Sequence, residues 1–247
     1  MTSEVIIVQS INFTPVCVDY QQKIRDFFGW DLHDDEEVFN WLQKNISKYN
    51  HKWNEENQLI NLNNMINKIK LKNNFAIIGG NATEEEISKL SENISLIVAD
   101  GSIGLLAKTN EKLLKNVICL VSDGDGVPHI TNKKIGGLTI LLHAHGHAKK
   151  NLEKILEIWS KWGNVPKIII SHQTFKTKLP AVNFGGFSDG DRAVCILHAC
   201  GINKSQIQLI GFDAQKVGSW SGLSDSKIKQ EKLIWMKKIL EELGYDI

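Results

Sequence analysis

Arginine is almost missing from this chain. Of its 29 basic residues only Arg25 and Arg192 carry a guanidinium, and the rest are lysines. Set against 28 acidic residues they leave a formal net charge of +1, so no strong field argues for a nucleic-acid partner or an anionic membrane surface. The excess of Lys, with abundant Ile and Asn, reads as compositional bias before it reads as function. No apolar run reaches the ~20 residues that a membrane span needs. The short run from Val5 to Val8 follows Glu4 and has no basic flank, so neither a signal peptide nor an anchor is expected. The four cysteines, Cys17, Cys119, Cys195 and Cys200, form no C-x-x-C pair. Cys119 and Cys195 lie in apolar stretches, which predicts reduced core thiols and a cytoplasmic protein. No G-x-x-x-x-G-K-[ST] loop is present, which excludes a P-loop enzyme. Gly79-Gly80-Asn81 lacks the G-x-G-x-x-G spacing of the standard dinucleotide fold.

What is present suits one sizeable α/β domain, or a catalytic domain with a small appendage: 247 residues, 42% apolar and 23% charged. The first seventy residues read as helical and polar. Val16, Tyr20, Ile24 and Phe27-Phe28 recur at helical spacing, and Gly29 ends that run. Val38, Trp41, Leu42 and Ile46 stripe a second helix beginning near Asp34. Residues 50–57 read as a polar loop, and 59–71 as a further helix weakened by its asparagines. Trp30, Trp41 and Trp53 are expected to be core or interface anchors. From Phe75 the pattern changes. Apolar runs at 75–78, 95–99, 117–121, 138–142, 167–170 and 207–210 alternate with helical stretches at 84–90, 102–108, 149–162, 188–199 and 224–243. Runs so short and so continuously apolar suit strands covered on both faces. The expectation is an α/β fold: a mostly parallel, doubly wound, Rossmann-like sheet in residues 73–247, closed by a long C-terminal helix. Residues 1–72 are expected to form a small helical region packed on it.

The strand ends are where chemistry is expected. They carry Gly79-Gly80, Asp100-Gly101, Ser122-Asp123-Gly124-Asp125-Gly126, His143-Ala144-His145-Gly146-His147 and Gly211-Phe212-Asp213. In a parallel open sheet these ends share one edge, and ligands bind in the crevice there. Acids dominate that edge: Asp100, Asp123, Asp125, Asp189, Asp191 and Asp213. Clustered carboxylates raise one another's pKa unless a cation neutralises them, and hard oxygen ligands suit Mg²⁺ held jointly with substrate phosphates. Glycines let backbone approach phosphate, and helix N-termini favour its charge. A metal-bound polyphosphate is therefore the expected ligand, with Asp189 also eligible as a helix cap. His143, His145 and His147 alternate and could face one side of a strand. With no further ligand spaced to close a zinc site, hydrogen bonding to phosphate or substrate is expected of them. His172 and Gln173 are expected to line the pocket, and His198 to be structural.

The longest motif is Asn183-Phe184-Gly185-Gly186-Phe187-Ser188-Asp189-Gly190-Asp191-Arg192-Ala193. Together with Ala99-Asp100-Gly101-Ser102, Val121-Ser122-Asp123-Gly124-Asp125-Gly126 and His143-Ala144-His145-Gly146, it resembles the archaeal 6-hydroxymethyl-7,8-dihydropterin pyrophosphokinases. Phe28-Gly29-Trp30 and the cluster Lys227, Lys229 and Lys232 extend the likeness. The layout is also similar to the catalytic domain of thiamin pyrophosphokinase. The resemblance implies transfer of diphosphate from ATP to the pterin hydroxymethyl group, releasing AMP, with Mg²⁺, in tetrahydrofolate or methanopterin-type coenzyme synthesis. It makes ATP and a pterin alcohol the partners and leaves homo-oligomerisation open. On this reading Asp123 and Asp125, with Asp189 or Asp191, hold the metal. Gly79, Gly80, Asp100, Gly101, Ser102, Gly126, Asp189 and Asp191 hold the nucleotide. Arg192 or Lys232 stabilises developing charge. His143, His145, Gln173, Asn183, Phe184, Gly185, Gly186, Phe187 and Asp213 form the acceptor side, with Asn183 or Asp213 reading the pterin edge and Phe184 or Phe187 stacking on its ring.

The chain departs from the family pattern in three places. Gly124 stands where the family usually has Leu between the two acids. His147-Ala148 replaces Asp-Asn, and Asn81-Ala82 replaces Pro-Ser after the paired glycines. Rival readings are an enzyme of the same fold acting on another alcohol such as thiamin, a sugar transferase related to motility-associated glycosylation proteins, and a nucleotide-binding module without activity.

Overall fold

The computed structural model describes residues 15–175, 179–221 and 226–247. The run from Val5 to Val8, the side chains of Val16 and Lys227, and the expected helix start at Ser224 lie outside the described residues.

Six short strands form one all-parallel sheet: β1 (Phe75–Ile78), β2 (Ser95–Ala99), β3 (Val117–Ser122), β4 (Thr139–Ala144), β5 (Lys167–His172) and β6 (Ile207–Ile210). Their order is β5-β4-β3-β2-β1-β6. The chain thus steps in one direction from β1 to β5, then returns to place β6 on the far side of β1. That reversal is what puts helices on both faces. α2 (Leu32–Tyr49), α4 (Glu84–Ser88), α5 (Ser102–Thr109) and α6 (Lys149–Ser160) pack on one face; α3 (Glu55–Lys70), α7 (Asp189–Ala199) and α8 (Ser226–Glu242) pack on the other. Successive strand residues alternate between the two cores. Ala76 and Ile78 join the first cluster, Phe75 and Ile77 the second, as the two-residue period of a strand requires. β1, β2 and β3 are buried at every position, which is why their sequences are continuous rather than alternating apolar runs.

The doubly wound parallel sheet expected from the strand–helix alternation is therefore present. Residues 15–72 feed the same two cores: Val38, Phe39, Leu42 and Ile46 of α2 join one, and Leu62, Met65, Ile66 and Ile69 of α3 join the other. α1 (Pro15–Phe28) packs beside α7 and α8 through Cys17, Ile24, Cys195 and Trp235. α3 begins a turn earlier than the asparagines suggested. Asn54 caps it, its side chain accepting from the Asn57 N–H, and Glu55 and Glu56 occupy the first turn, where acids favour the helix dipole. β4 and β5 also run two residues further than their apolar stretches. Their polar ends pair in register, His143 with Ser171 and Ala144 with His172. All four cysteines are free and buried, and no described helix is long and apolar enough to cross a membrane.

Candidate active site

The carboxyl ends of the strands open into one cleft. β2 delivers Asp100 into it with φ +41°, the only described residue other than glycine at positive φ. That conformation costs on the order of 1–3 kcal/mol and persists only where neighbours over-determine it. Here the Asp100 N–H donates to the Val121 carbonyl at 2.7 Å, and its Oδ1 accepts the Ser122 hydroxyl at 2.6 Å. The other oxygen, Oδ2, is buried and has no partner. β3 continues into Asp123 and Asp125. The Asp125 N–H donates to Asp123 Oδ1 at 3.1 Å, a tight turn that brings both acids back toward β2. Each of Asp100, Asp123 and Asp125 offers an oxygen within 4.8 Å of the other two. The backbone at Gly126 passes so close that a Cβ there would fall on the Asp100 carboxylate.

Electrostatics follow from this crowding. Burial, then the charge of Asp123, pushes Asp100 up to about 6. Burial and the charges of Asp123 and Asp100 push Asp125 up to about 9. Burial also acts to raise Asp123, but the hydrogen bond and charge of His145, with the charge of Lys232, hold it below the ordinary carboxylate range. Asp189, the first residue of α7, faces the same cleft; burial and these three acids raise it well above its ordinary value. A buried carboxylate oxygen without a donor beside two further acids is a costly arrangement for the protein alone. A hard divalent cation matches that donor set.

The cleft has two unlike halves. On the β1/β6 side it is floored by Gly79 and Gly80 and walled by Phe212, Asp213 and Trp220. The segment carrying Trp220 crosses these turns, with the Trp220 N–H donating to the Gly80 carbonyl at 3.1 Å. On the β4/β5 side it is lined by His143, His145, Gln173, Trp30 and Phe187. His143 Nδ1 lies 3.0 Å from the Ser171 hydroxyl and its Nε2 lies 3.4 Å from Gln173 Oε1. Burial, then the charge of Arg192, holds His143 well below the usual histidine range, so it is neutral. Trp30 stacks on Phe28 at 4.5 Å and tilts toward Phe187 at 6.1 Å. Lys232, from α8, lies 5.9 Å from the Trp30 ring and 5.7 Å from that of Phe187. Lys229 lines the cleft beside it.

Several predicted site residues have other work. Asp191 is fully buried, and its carboxylate accepts the N–H groups of Phe187 and Ser188 and the Ser188 hydroxyl. It closes the first turn of α7 instead of joining the metal cluster. Arg192, expected as the alternative to Lys232 for stabilising developing charge, instead donates its guanidinium to the carbonyls of Gly185 and Phe187 at 3.0 Å. Asn183 was expected to read the acceptor, but its amide is taken up by Gln21, the Thr174 carbonyl and the Gly185 N–H. Phe184 is a core side chain, 1% exposed. Gly185 and Gly186 take φ +85° and +79° and press against α1, where Gly186 donates to the Cys17 carbonyl. A side chain at Gly185 would meet Cys17. The Ser102 hydroxyl bonds the Gly79 carbonyl at 2.9 Å, bracing the glycine turn from beneath, and Gly101 packs under Trp220. Asp213 lines the β6 end, opposite the acceptor half, and its Oδ1 accepts from Gln215 and Lys216. His172 faces the core, stacked on Phe39 at 4.2 Å, and His198 contacts the Tyr245 hydroxyl at 3.0 Å.

Gly186-Phe187-Ser188-Asp189-Gly190 fits the G-x-S-x-G pattern of a nucleophile elbow. The Ser188 hydroxyl is engaged by Asp191 and no strand leads directly into it, so the elbow geometry is absent. Trp30 is the site residue that sequence reasoning set aside as an anchor. Its signal was the glycine at 29, which takes φ +66° immediately before it.

Three archaeal proteins, each named 6-hydroxymethyl-7,8-dihydropterin pyrophosphokinase, are similar to this chain. The one from Pyrococcus furiosus is 28% identical over 186 residues, covering 72% of this chain and 74% of the relative. Those from Methanothermobacter thermautotrophicus and Methanocaldococcus jannaschii are 33% and 31% identical over 129 and 130 residues. Each of these two matches covers 52% of this chain, and the chain spans about half of each relative, 50% and 51%. No protein-family model matches the chain, and no solved structure does so significantly.

Proposed function

We propose that this protein transfers a diphosphate group from ATP to the hydroxymethyl oxygen of 6-hydroxymethyl-7,8-dihydropterin, releasing AMP. The observation that carries the reading is the acid cluster of Asp100, Asp123 and Asp125, with its unpartnered buried oxygen, set between a glycine-floored half and an aromatic half of one cleft. The names of the three relatives supply the reaction and the acceptor.

The two halves suggest the orientation of the substrates. Glycine turns let phosphate approach the backbone closely, so the triphosphate would lie over Gly79 and Gly80. A flat heteroaromatic ring suits Trp30 and Phe187, where stacking favours an aromatic acceptor. The acids in between would hold Mg²⁺, which when bound supplies charge neutralisation for the phosphates and orients them. Asp100, Asp123 and Asp125 would be its ligands, with Asp189 lining the same cleft.

The hydroxyl oxygen then attacks the β-phosphorus in line and gives up its proton to solvent. The bond from that phosphorus to the oxygen bridging it to the α-phosphate breaks, and AMP departs with the electron pair. The residues of the chain act mainly by position and charge. His145 keeps Asp123 ionised and aimed. Lys232 and Lys229 bring positive charge from α8 to the phosphates. His143, held neutral, holds Gln173 in place on the acceptor side. Coenzyme synthesis of the tetrahydrofolate or methanopterin type is the proposed context.

The test is direct. The protein is incubated with ATP, Mg²⁺ and the dihydropterin, with thiamin in a parallel reaction, and AMP is followed. AMP release that depends on the pterin is expected. Release with thiamin alone would replace the acceptor, and release with neither would sink the reading.

A further inference from the structure

We infer that Asp35 is a positioning residue that fixes which edge of Gln173 faces the acceptor, so that the acceptor must present an N–H donor to that wall. The inference deepens the diphosphotransfer reading and rests on it for the identity of the acceptor.

Asp35 lies in the first turn of α2 and is 5% exposed. It is outside the cleft, yet every atom of its carboxylate is engaged. Oδ1 accepts the Gly146 N–H at 2.8 Å; Oδ2 accepts Arg25 Nη1 at 3.2 Å and Gln173 Nε2 at 2.8 Å. An ionised carboxylate only accepts. Gln173 must therefore turn its NH₂ toward Asp35, which leaves its Oε1 facing His143 Nε2. An amide oxygen also only accepts, so that nitrogen of His143 carries the proton. His143 Nδ1 is then the acceptor and takes the Ser171 hydroxyl hydrogen at 3.0 Å. Arg25 clamps the arrangement by donating to the Gln173 carbonyl at 3.0 Å.

Each link in this chain is dictated by the one before it, and the first link is the charge on Asp35. Outer groups of this kind orient the residues that touch the ligand. Gln173 and His143 both line the cleft. The wall therefore shows the ligand the second lone pair of a fixed amide oxygen. A ring N–H or an exocyclic amine satisfies it, and a carbonyl there would be repelled. The amino-pyrimidinone edge of a pterin carries such donors.

The experiment compares wild type with Gln173→Met and Asp35→Asn, using the dihydropterin and an analogue whose 2-amino group is replaced by hydrogen. AMP release is read against acceptor and against ATP concentration. Wild type is expected to prefer the amino compound by about tenfold in kcat/KM, the change expected of one net hydrogen bond. Both variants should raise the acceptor KM by about tenfold, bring the preference close to one, and leave the KM for ATP within about twofold of wild type. Asp35→Asn leaves Arg25 without its ion pair and risks misfolding; Gln173→Met keeps that pair and carries the test alone if needed. Unchanged preference in Gln173→Met overturns the inference. If wild type releases no AMP with either compound, the diphosphotransfer reading fails. Binding of the two pterins, read by tryptophan fluorescence, then decides this inference separately: a preference lost in Gln173→Met supports it, and equal or absent binding overturns it.

Discussion

His145 Nε2 sits 3.0 Å from Asp123 Oδ2, at the seam where the acceptor half of the cleft meets the acid cluster. The contact keeps one of three crowded carboxylates ionised while its neighbours are driven the other way. Burial and the charge of Asp123 put Asp100 near about 6 and Asp125 near about 9. Burial and mutual repulsion therefore favour a proton on Asp125 over its two neighbours in the cluster.

Metal binding must displace that proton. The affinity for Mg²⁺ should tighten as pH rises from about 6 to about 9, and roughly one proton should be released for each ion bound at pH 7. Calorimetric titration in two buffers of different ionisation enthalpy measures this. A heat independent of buffer would mean that Asp125 is already ionised.

The same shift has a consequence for stability. The carboxyl of Asp125 has a higher pKa when folded than when unfolded, so its contribution is fully present below about 4, the ordinary carboxylate range. It is lost as pH rises toward about 9. Asp125→Asn removes that loss. In chelator at pH 8.5 the variant should melt a few degrees above wild type, since ~1 kcal/mol corresponds to about 2–4 °C for a chain of this size. At pH 4 the gap should close. Diphosphate transfer should fall by more than about a hundredfold. A variant no more stable than wild type at high pH would contradict the electrostatic account of the cluster.

Gly126 tests the cradle itself. A methyl group at this position meets the Asp100 carboxylate, on the residue whose Oδ2 lacks a partner. Gly126→Ala should weaken Mg²⁺ binding by about tenfold or more while costing about 1–3 kcal/mol of stability, as overpacking does. Equilibrium dialysis against Mg²⁺ at a temperature where the variant is folded reads the first effect, and thermal unfolding reads the second. Normal metal binding would remove Asp100 from the ligand set.

The aromatic residues separate site from core. Trp30→Ala and Phe187→Ala should each raise the acceptor KM by about tenfold, because one face of the stack is lost, and leave ATP binding unchanged. Phe184→Ala, only a few residues from Phe187, should act on folding instead, costing about 3–5 kcal/mol. Initial-rate kinetics beside thermal melts would show it. A loss of stability in Trp30→Ala as large as in Phe184→Ala would return Trp30 to the core.

Much of this was legible in the chain. Strands covered on both faces leave continuous apolar runs, so the runs beginning at Phe75, Ser95 and Val117 could be read directly, and in a parallel sheet their polar ends share an edge. That placed Asp100, Asp123 and Asp125 on one edge, with Asp189, Asp191 and Asp213, without coordinates. The segment from Asn183 to Arg192 was not resolved in the same way. Its ten residues divide between cleft and interior: Phe187 and Asp189 line the cleft, while Asn183, Phe184, Asp191 and Arg192 hold the turn in shape. A motif shows that residues belong together; it does not show which way each side chain points.

The sequence by itself determined the sheet, its winding and the edge where acids gather, because burial on both faces and strand–helix alternation are local patterns. Only the tertiary structure decided which carboxylates converge, that Trp30 rather than Phe184 joins the aromatic wall, and that Asp35 governs Gln173 across 138 residues of chain. Those outcomes depend on contacts between distant segments, and hydrogen-bond direction and side-chain facing exist only once the segments have met.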